Sequence, residues 1–196
     1  MLPLRNSVIF PGSILPLDVH RERSLVAVER ANGPGKLIAI IAQVDAAEDG
    51  PDVRLHEVGC AARILKVLRL SKDKLAVIVQ GIQRIRVPAI DRTGPCFVVR
   101  AEPIPEPDEL DDELLLRKTE ALTESALLMI AAMPEMPKEA SALIGSIKHP
   151  GQLADTLASH LDTAVDDRQK VLETIPLAAR VELVLEQVNQ ARARRA

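Results

Sequence analysis

The segment Pro103-Ile104-Pro105-Glu106-Pro107 constrains the fold of this 196-residue chain more than any other feature. Three prolines in five residues exclude a helix and favour an extended connector. Apolar residues before the segment are grouped as in short strands, and those after it recur with the period of a helix. The pattern predicts an α+β protein, with a β-rich lobe at residues 1–103 and a helical lobe at residues 104–196.

Short strands with close turns predict that the first lobe is a small, curled, mostly antiparallel sheet or barrel. One helix is expected at Glu22–Arg30, where it ends before Asn32-Gly33-Pro34-Gly35. Ser71-Lys72-Asp73 is the expected turn of a hairpin. The expected strands are Leu2–Phe10, Ile14–Val19, Leu37–Val44, Val58–Leu70, Lys74–Gln80, Arg84–Val87 and Cys96–Glu102.

Apolar stripes predict a bundle of about four helices in the second lobe, with a last helix able to project. The first helix is expected to begin in the acidic segment Asp108–Glu113, because carboxylates stabilise the positive end of a helix dipole. Pro134 and Pro137 are expected to end it. The stripes are Leu115, Leu122, Ala126 and Met129, then Leu153, Leu157 and Leu161, then Leu177, Val181, Val184, Leu185 and Val188.

Composition narrows the possible classes of function. The formal charge of −3 does not favour binding through nucleic-acid phosphates, and Phe10 and Phe97 are too few rings for a base-stacking platform. No apolar run is long enough to span a membrane, and residues 1–20 do not resemble a secretory signal. Cys60 and Cys96 are isolated, which predicts buried thiols in a reducing compartment and therefore a cytoplasmic protein, with a disulfide between them as the alternative.

The sequence shows no motif typical of an enzyme. Gly33-Pro34-Gly35-Lys36 lacks the spacing of a phosphate loop, and Pro34 removes an amide donor. No two histidines lie three to five residues apart, and the cluster of His160, Asp162 and Asp166 is typical of a solvated helix end. No G-x-S-x-G nucleophile elbow occurs. We therefore expect no catalytic residue, no metal and no cofactor.

Three blocks of sequence carry a family resemblance. The opening block comprises Leu2-Pro3-Leu4-Arg5, Phe10-Pro11-Gly12, Pro16-Leu17 and Arg21-Glu22-Arg23-Ser24. The second block is Gly81-Ile82-Gln83-Arg84, and the third runs from His149-Pro150-Gly151 to Ser159-His160-Leu161. Their order and content resemble the N-terminal domain of the ATP-dependent Lon protease family.

The resemblance implies a PUA-like β-rich lobe followed by a helical lobe. It also implies capture of unfolded or degron-bearing polypeptides, and a part in assembly with copies of itself or with a Lon-type protease ring. The chain contains neither the ATPase loop nor the protease dyad of that family. The expected function is thus non-catalytic binding, in a free-standing protein or in a fragment of a longer one, with no membrane partner.

Exposed apolar residues are the expected binding site, because unfolded polypeptides present apolar side chains. The candidates are Ile14, Leu15 and Pro16 after the Pro-Gly turn, and Leu68 and Leu70 near the hairpin turn. Burial of all five in the core is the alternative. Asp18 departs from the apolar or aromatic residue common in the family and weakens an apolar grip there.

Two other functions remain open from the sequence. A structural or oligomerisation role is possible through the apolar stripe of the last helix, Leu177–Val188. RNA binding is the less favoured alternative, because PUA-like folds elsewhere bind RNA and the first lobe holds 15 basic and 11 acidic residues. The basic residues near one hairpin are Arg63, Lys66, Arg69, Lys72 and Lys74.

Overall fold

The proline-rich segment separates two units in the computed structural model, which describes residues 1–108 and 112–194. The first unit is Met1–Pro105 and the second is Glu106–Ala196. We call them the β unit and the helical unit. The expected boundary after residue 103 and the division after Pro105 lie in the same proline-rich segment.

The β unit, all of whose residues are described, contains six strands and one helix. They are β1 (Leu2–Leu4), β2 (Ile14–Val19), α1 (Glu22–Ala31), β3 (Leu37–Ala42), β4 (Val58–Ser71), β5 (Lys74–Asp91) and β6 (Val98–Pro103). The sheet order is β1-β3-β4-β5-β2, and β6 also pairs with β5. Only β1 and β3 run parallel, so the prediction of a mostly antiparallel sheet is confirmed.

Alternation along the strands places the larger core cluster on one side of the sheet, and a second cluster contains Ile41, Ile85 and Phe97. In β2, Leu17 and Val19 are buried and Asp18 between them is exposed. Their partners across the ladder, Val77 and Leu75 of β5, belong to the same core. The core is almost entirely aliphatic, as the composition requires, and its strand residues include Ile38, Ile40, Cys60, Ala62, Ile64 and Val79.

Strands β1 and β5 differ most from the sequence prediction. Strand β1 ends at Leu4 rather than at Phe10, because the backbone bends at Arg5 and Asn6 after the Leu4 carbonyl accepts from the Gln43 amide at 2.7 Å. Strand β5 is a single element where two were expected. It continues through Gly81 because the backbone of that residue is hydrogen-bonded. The Gly81 amide donates to the Ser13 carbonyl, and the Gly81 carbonyl accepts from the Gly12 amide.

Both phenylalanines and both cysteines are buried in the β unit. Phe97 lies beneath two cations, with the guanidinium carbons of Arg23 and Arg92 at 5.2 Å and 5.4 Å from the ring centroid. Cys60 and Cys96 are buried and are not joined in a disulfide. The rings are therefore used for packing, which removes them from any exposed stacking surface.

The described residues of the helical unit form five helices, one more than the stripes predicted. They are α2 (Glu113–Ala131), α3 (Lys138–Ser146), α4 (Pro150–His160), α5 (Val165–Glu173) and α6 (Leu177–Ala193). Asp112 is the N-cap of α2, where its carboxylate accepts from the Leu114 amide at 2.9 Å. The expected acidic start of α2 is thus seen in part, since residues 109–111 lie outside the described part of the chain.

The last helix lies within the bundle over its apolar stripe. Leu177, Val181, Val184 and Val188 are fully buried. Helix α6 runs along α2, where Lys118 pairs with Glu182 at 2.8 Å. The apolar stripe of the last helix, which was the basis for a possible oligomerisation role, is therefore buried within the helical unit. No helix in the described ranges is both long enough and apolar enough to cross a membrane.

Helix α4 begins with a histidine cap. His149 Nδ1 accepts from the Gly151 amide at 3.1 Å and from the Gln152 amide at 3.4 Å, and Pro150 occupies the first turn. We expect His149→Ala to destabilise the helical unit by about 1 kcal/mol, since it removes the cap acceptor. His149→Asn restores an acceptor and should recover most of that loss. Urea unfolding followed by circular dichroism tests both, and equal stabilities would contradict the capping role.

Candidate functional site

One face of the sheet carries an apolar surface that points away from the core. We call it the outer sheet face. Residues directly opposite each other in antiparallel strands share a face, so the pairing defines it. Its three cross-strand rows over β2, β5 and β4 are Ile14, Gln80 and Arg63, then Pro16, Ile78 and Lys66, then Asp18, Ala76 and Leu68.

The structure brings three of the five expected site residues onto the outer sheet face. The side chains of Ile14 and Leu68 are 59% and 45% exposed, and Pro16 is exposed between them. Leu15 points to the other side and packs against the core, because it pairs with the buried Val79. Because successive residues of a strand point to opposite faces, Leu15 is not part of the candidate site.

Leu70 is not part of the three cross-strand rows. It falls where the β4–β5 register shifts between Arg69 and Ser71, beside the hairpin turn, and is 57% exposed. A similar shift between Ile64 and Lys66 leaves Leu65 43% exposed next to the face. A sequence pattern of strict alternation does not reveal these shifts, because each bulge adds a residue to only one strand.

The charges around the outer sheet face are mainly positive. Asp18 pairs with Lys74 at 3.1 Å, and Arg69 pairs with Glu29 at 2.7 Å. Arg63 and Lys66 are exposed, and neither side chain has a hydrogen bond or ion pair with any described residue. The face therefore presents apolar side chains beside two cations whose charge is not balanced by those residues.

The helical unit contains a second apolar surface, which the sequence analysis missed. It is a groove of about 340 Å³ formed by residues from α2, α3, α4 and α6 and the segments between them. We call it the methionine groove. Its lining includes Met129, Met133, Met136, Leu143, Ile144 and Leu157. Ile144 and Leu157 are buried in its floor, and Leu143 is 57% exposed at its edge.

The chemistry of the methionine groove suits varied apolar ligands. A methionine side chain is unbranched, flexible and polarisable, so it adapts to partners of different shape. The sequence contained a signal for this site. Three of the four methionines in the chain occur between residues 129 and 136, and Pro134 and Pro137 indicate an irregular segment there. Of these methionines, only Met129 belongs to a predicted apolar stripe, that of the first helix of the second lobe.

The polar residues at the edge of the groove include His160, Asp162 and Arg194. His160 Nδ1 lies 2.8 Å from the Thr156 carbonyl oxygen and 2.9 Å from Ser159 Oγ, both on its own helix. No group of three potential metal ligands occurs in the part of the chain that the structure describes. Asp162 and Arg194 also line the groove, so its edge carries both signs of charge.

A smaller cleft in the β unit, of about 260 Å³, surrounds Arg21. Its guanidinium donates to Gln43 Oε1 at 2.8 Å and to the Pro3 carbonyl at 2.6 Å. Burial lowers the pKa of Arg21, and the nearby charge of Arg5 lowers it further, although an arginine remains charged at neutral pH. Because these bonds join β1, β3 and the start of α1, we assign Arg21 a structural role.

Comparison with known proteins identifies the family. Residues 1–190 match the model of the ATP-dependent protease La (LON) substrate-binding domain. The chain is 37% identical over 193 residues to a Lon protease of Anaeromyxobacter dehalogenans, with 98% of this chain and 23% of that protein aligned. It is 36% identical over 188 residues to the Lon protease of Escherichia coli strain K12, with 94% and 24% aligned.

Solved structures agree in fold. The N-terminal domain of Mycobacterium avium complex Lon protease superposes with a TM-score of 0.81 at 20% identity, over 96% of each chain. A Lon N-terminal domain protein from Xanthomonas campestris gives a TM-score of 0.66 at 19% identity, over 94% of this chain and 95% of that one. These matches confirm the predicted α+β class.

The chain spans about a quarter of the length of the curated relatives it matches. The match to the family model nevertheless covers nearly all of the chain, including both units. The resemblance noted in the three sequence blocks is thereby confirmed. The chain belongs to the family of Lon protease substrate-binding domains.

Proposed function

We propose that this chain captures unfolded or degron-bearing polypeptides for a Lon-type protease and acts by binding, without catalysis of its own. The observation that carries the proposal is the methionine groove, an open apolar cavity of about 340 Å³ in the helical unit. A cavity of this size lies within the range of common ligand pockets. The family description, substrate-binding domain, supports the same function.

The physical basis is the difference between unfolded and folded polypeptides. An unfolded chain exposes apolar side chains that a folded protein hides. Burying them yields about 25 cal/mol for each Å² removed from water. The groove offers a floor of buried Ile144 and Leu157 and flexible walls of Met133 and Met136. Because such a surface recognises apolar character rather than one sequence, it suits a protein that accepts many substrates.

The test compares two states of one ligand. Reduced and carboxymethylated α-lactalbumin is the unfolded probe, and native α-lactalbumin is the folded control. This chain has no Trp and no Tyr, so the tryptophan fluorescence of the probe reports binding without interference. We expect the chain to bind the unfolded form and to leave the folded form unbound. Equal binding of the two forms would contradict the proposal.

A variant at the groove edge locates the site. We expect Leu143→Asp to weaken binding of the unfolded probe about tenfold, because loss of one large apolar contact is worth about 1.5 kcal/mol or more. Leu128→Asp is the matched control, since Leu128 is 49% exposed on α2 and does not line the groove. If the two variants bind equally well, the groove is not the site.

A further inference from the structure

We infer that the outer sheet face selects polypeptide segments in which a short apolar stretch is flanked by acidic residues. The inference deepens the proposed function and rests on it for one point, that the ligand is a polypeptide. It concerns a surface of the β unit, which shares no residue with the methionine groove of the helical unit. The two surfaces can therefore be tested independently.

The apolar part of the surface is continuous across the strands. Ile14 and Pro16 of β2, Ile78 and Ala76 of β5, and Leu68 of β4 occupy adjacent positions in the three cross-strand rows. Side chains directly opposite each other in such rows have Cβ atoms about 5 Å apart. A segment that lies across the strands can therefore contact several of them at once. Large apolar residues grouped on an exposed face are typical of a binding surface.

The cations give the surface its selectivity. Arg63 lies in the row of Ile14, and Lys66 lies in the row of Pro16 and Ile78. Neither cation is paired with a described residue, so a carboxylate of the ligand need not compete with an internal partner. On the side of β2, Asp18 is already paired with Lys74. The charge complement of the face is therefore a carboxylate on the side of β4.

The spacing of the strands sets the length of the recognised motif. Two strand spacings separate β2 from β4, a distance of about 10 Å. An extended polypeptide covers that distance in about three residues. An apolar side chain resting on Ile14 or Pro16 thus places a carboxylate about two or four positions away, on the same side of the extended segment, within reach of Arg63 or Lys66. The inferred motif is an apolar residue with Asp or Glu about two or four positions from it.

The same cations do not favour RNA. Single-stranded RNA is recognised through bases stacked on exposed aromatic rings. Phe10 and Phe97 are the only aromatic residues of the chain, and they are 0% and 3% exposed. Between Lys66 and β2 the face presents Ile78, with Ala76 and Leu68 in the next row, and these apolar side chains match a polypeptide better than a phosphate backbone. An apolar segment with acidic flanks satisfies both parts of the surface.

Three labelled peptides test the inference. They share one apolar core of Leu and Val and differ only in flanking residues, which are Glu, Ser or Lys. We expect the Glu-flanked peptide to bind about fivefold more tightly than the Ser-flanked one, because each exposed ion pair contributes up to about 1 kcal/mol. The Lys-flanked peptide should bind most weakly. Raising the salt from about 50 mM to about 1 M should remove the differences. Equal affinities at low salt would overturn the inference.

Charge variants assign the preference to the two cations. We expect Arg63→Glu combined with Lys66→Glu to reverse the order, so that the Lys-flanked peptide binds best. The neutral variant, Arg63→Gln with Lys66→Gln, should bind all three equally. Lys170→Glu is the control, because Lys170 is an exposed cation of α5 in the other unit. An order that survives the double Glu substitution, or that changes with Lys170→Glu, would overturn the assignment.

Two further measurements distinguish this inference from binding of a polyanion and from the proposed function of the methionine groove. Ile14→Ser with Leu68→Ser should weaken all three peptides by a similar factor, since it removes apolar contacts only. A uridine oligonucleotide should not compete with the Glu-flanked peptide, and competition would overturn the inference in favour of a polyanion site. If the peptides bind without flank preference while the Leu143→Asp variant still loses unfolded α-lactalbumin, this inference fails and the proposed function stands.

Discussion

Replacement of Gly81 by alanine is expected to destabilise the β unit by about 4 kcal/mol, a large fraction of the stability of an ordinary domain. A Cβ at this position would lie 2.0 Å from the Phe10 carbonyl oxygen and 2.8 Å from its carbon. Neither atom belongs to a flexible side chain, so the strand and the Phe10–Ser13 turn would have to separate. The sequence of the turn alone does not reveal this contact, because Phe10 and Gly81 are far apart in the chain.

The separation would also break main-chain hydrogen bonds. The Gly12 amide donates to the Gly81 carbonyl and the Gly81 amide donates to the Ser13 carbonyl, each at 2.9 Å. Each bond contributes about 1 kcal/mol, and strained packing adds about 1–3 kcal/mol. Both costs act together, because the clash and the bonds involve the same peptide.

Gly94→Ala is the matched control in the same unit. A Cβ at Gly94 would meet only the Cys96 carbonyl oxygen, at an ordinary 3.6 Å. We expect its stability to remain within about 0.5 kcal/mol of the parent. Urea unfolding with hydrogen exchange of the strand amides distinguishes the two variants. A Gly81→Ala protein as stable as Gly94→Ala would show that the turn can move without cost.

The second large effect is expected at Arg180. Its side chain is completely buried in the helical unit and is held by four groups. Nη1 lies 2.6 Å from Glu106 Oε1 and 3.7 Å from Asp155 Oδ1. Nε donates to the Thr174 carbonyl and Nη2 to the Ile175 carbonyl, each at 2.8 Å. The arginine thus joins α4, α6, the turn before α6 and the first residue of the unit.

Arg180→Met is expected to destabilise the helical unit by about 3–5 kcal/mol. Removing Arg180 takes a cation away from Asp155, whose side chain is only 4% exposed, and two carbonyl groups lose their donor as well. Arg180→Lys should recover little, because a lysine cannot reproduce the fixed fork that reaches four acceptors at once. Urea unfolding followed at the helical circular-dichroism band measures both variants.

Arg117→Met serves as the control for Arg180. Arg117 and Glu113 form an ion pair at 2.5 Å on the surface of α2, with side chains 74% and 80% exposed. An exposed pair of this kind contributes about 0.5 kcal/mol. If Arg180→Met costs no more than Arg117→Met, the buried network is not a source of stability.

Local patterns in the sequence predicted the secondary structure well, because an element that is buried on one side has apolar residues at regular intervals in its sequence. The alternation in β2 and the apolar stripes of α4 and α6 are examples, and each corresponds to an observed element. The three sequence blocks predicted the family, which the comparisons confirm. The boundaries of β1 and β5 were less accurate, since Gly81 and Gln43 make bonds to distant parts of the chain.

The candidate site was predicted in part. Ile14, Pro16 and Leu68 are exposed and share a face, whereas Leu15 packs against the core. Alternation separated Ile14 from Leu15, but only pairing with β5 decided which of them points outward. The methionine groove was missed because its lining comes from α2, α3, α4 and α6. The periodicity of apolar residues within one helix cannot reveal a surface that is formed by side chains from several helices.

The sequence by itself determined the element types, the aliphatic core and the family. These properties follow from residues close together in the chain, where period, turn chemistry and motif order act directly. The tertiary structure alone decided the contact of Gly81 with Phe10, the bonding of Arg180 to Glu106 and the methionine groove. Those features join residues far apart in sequence, and they arise only when packing brings distant elements within contact distance.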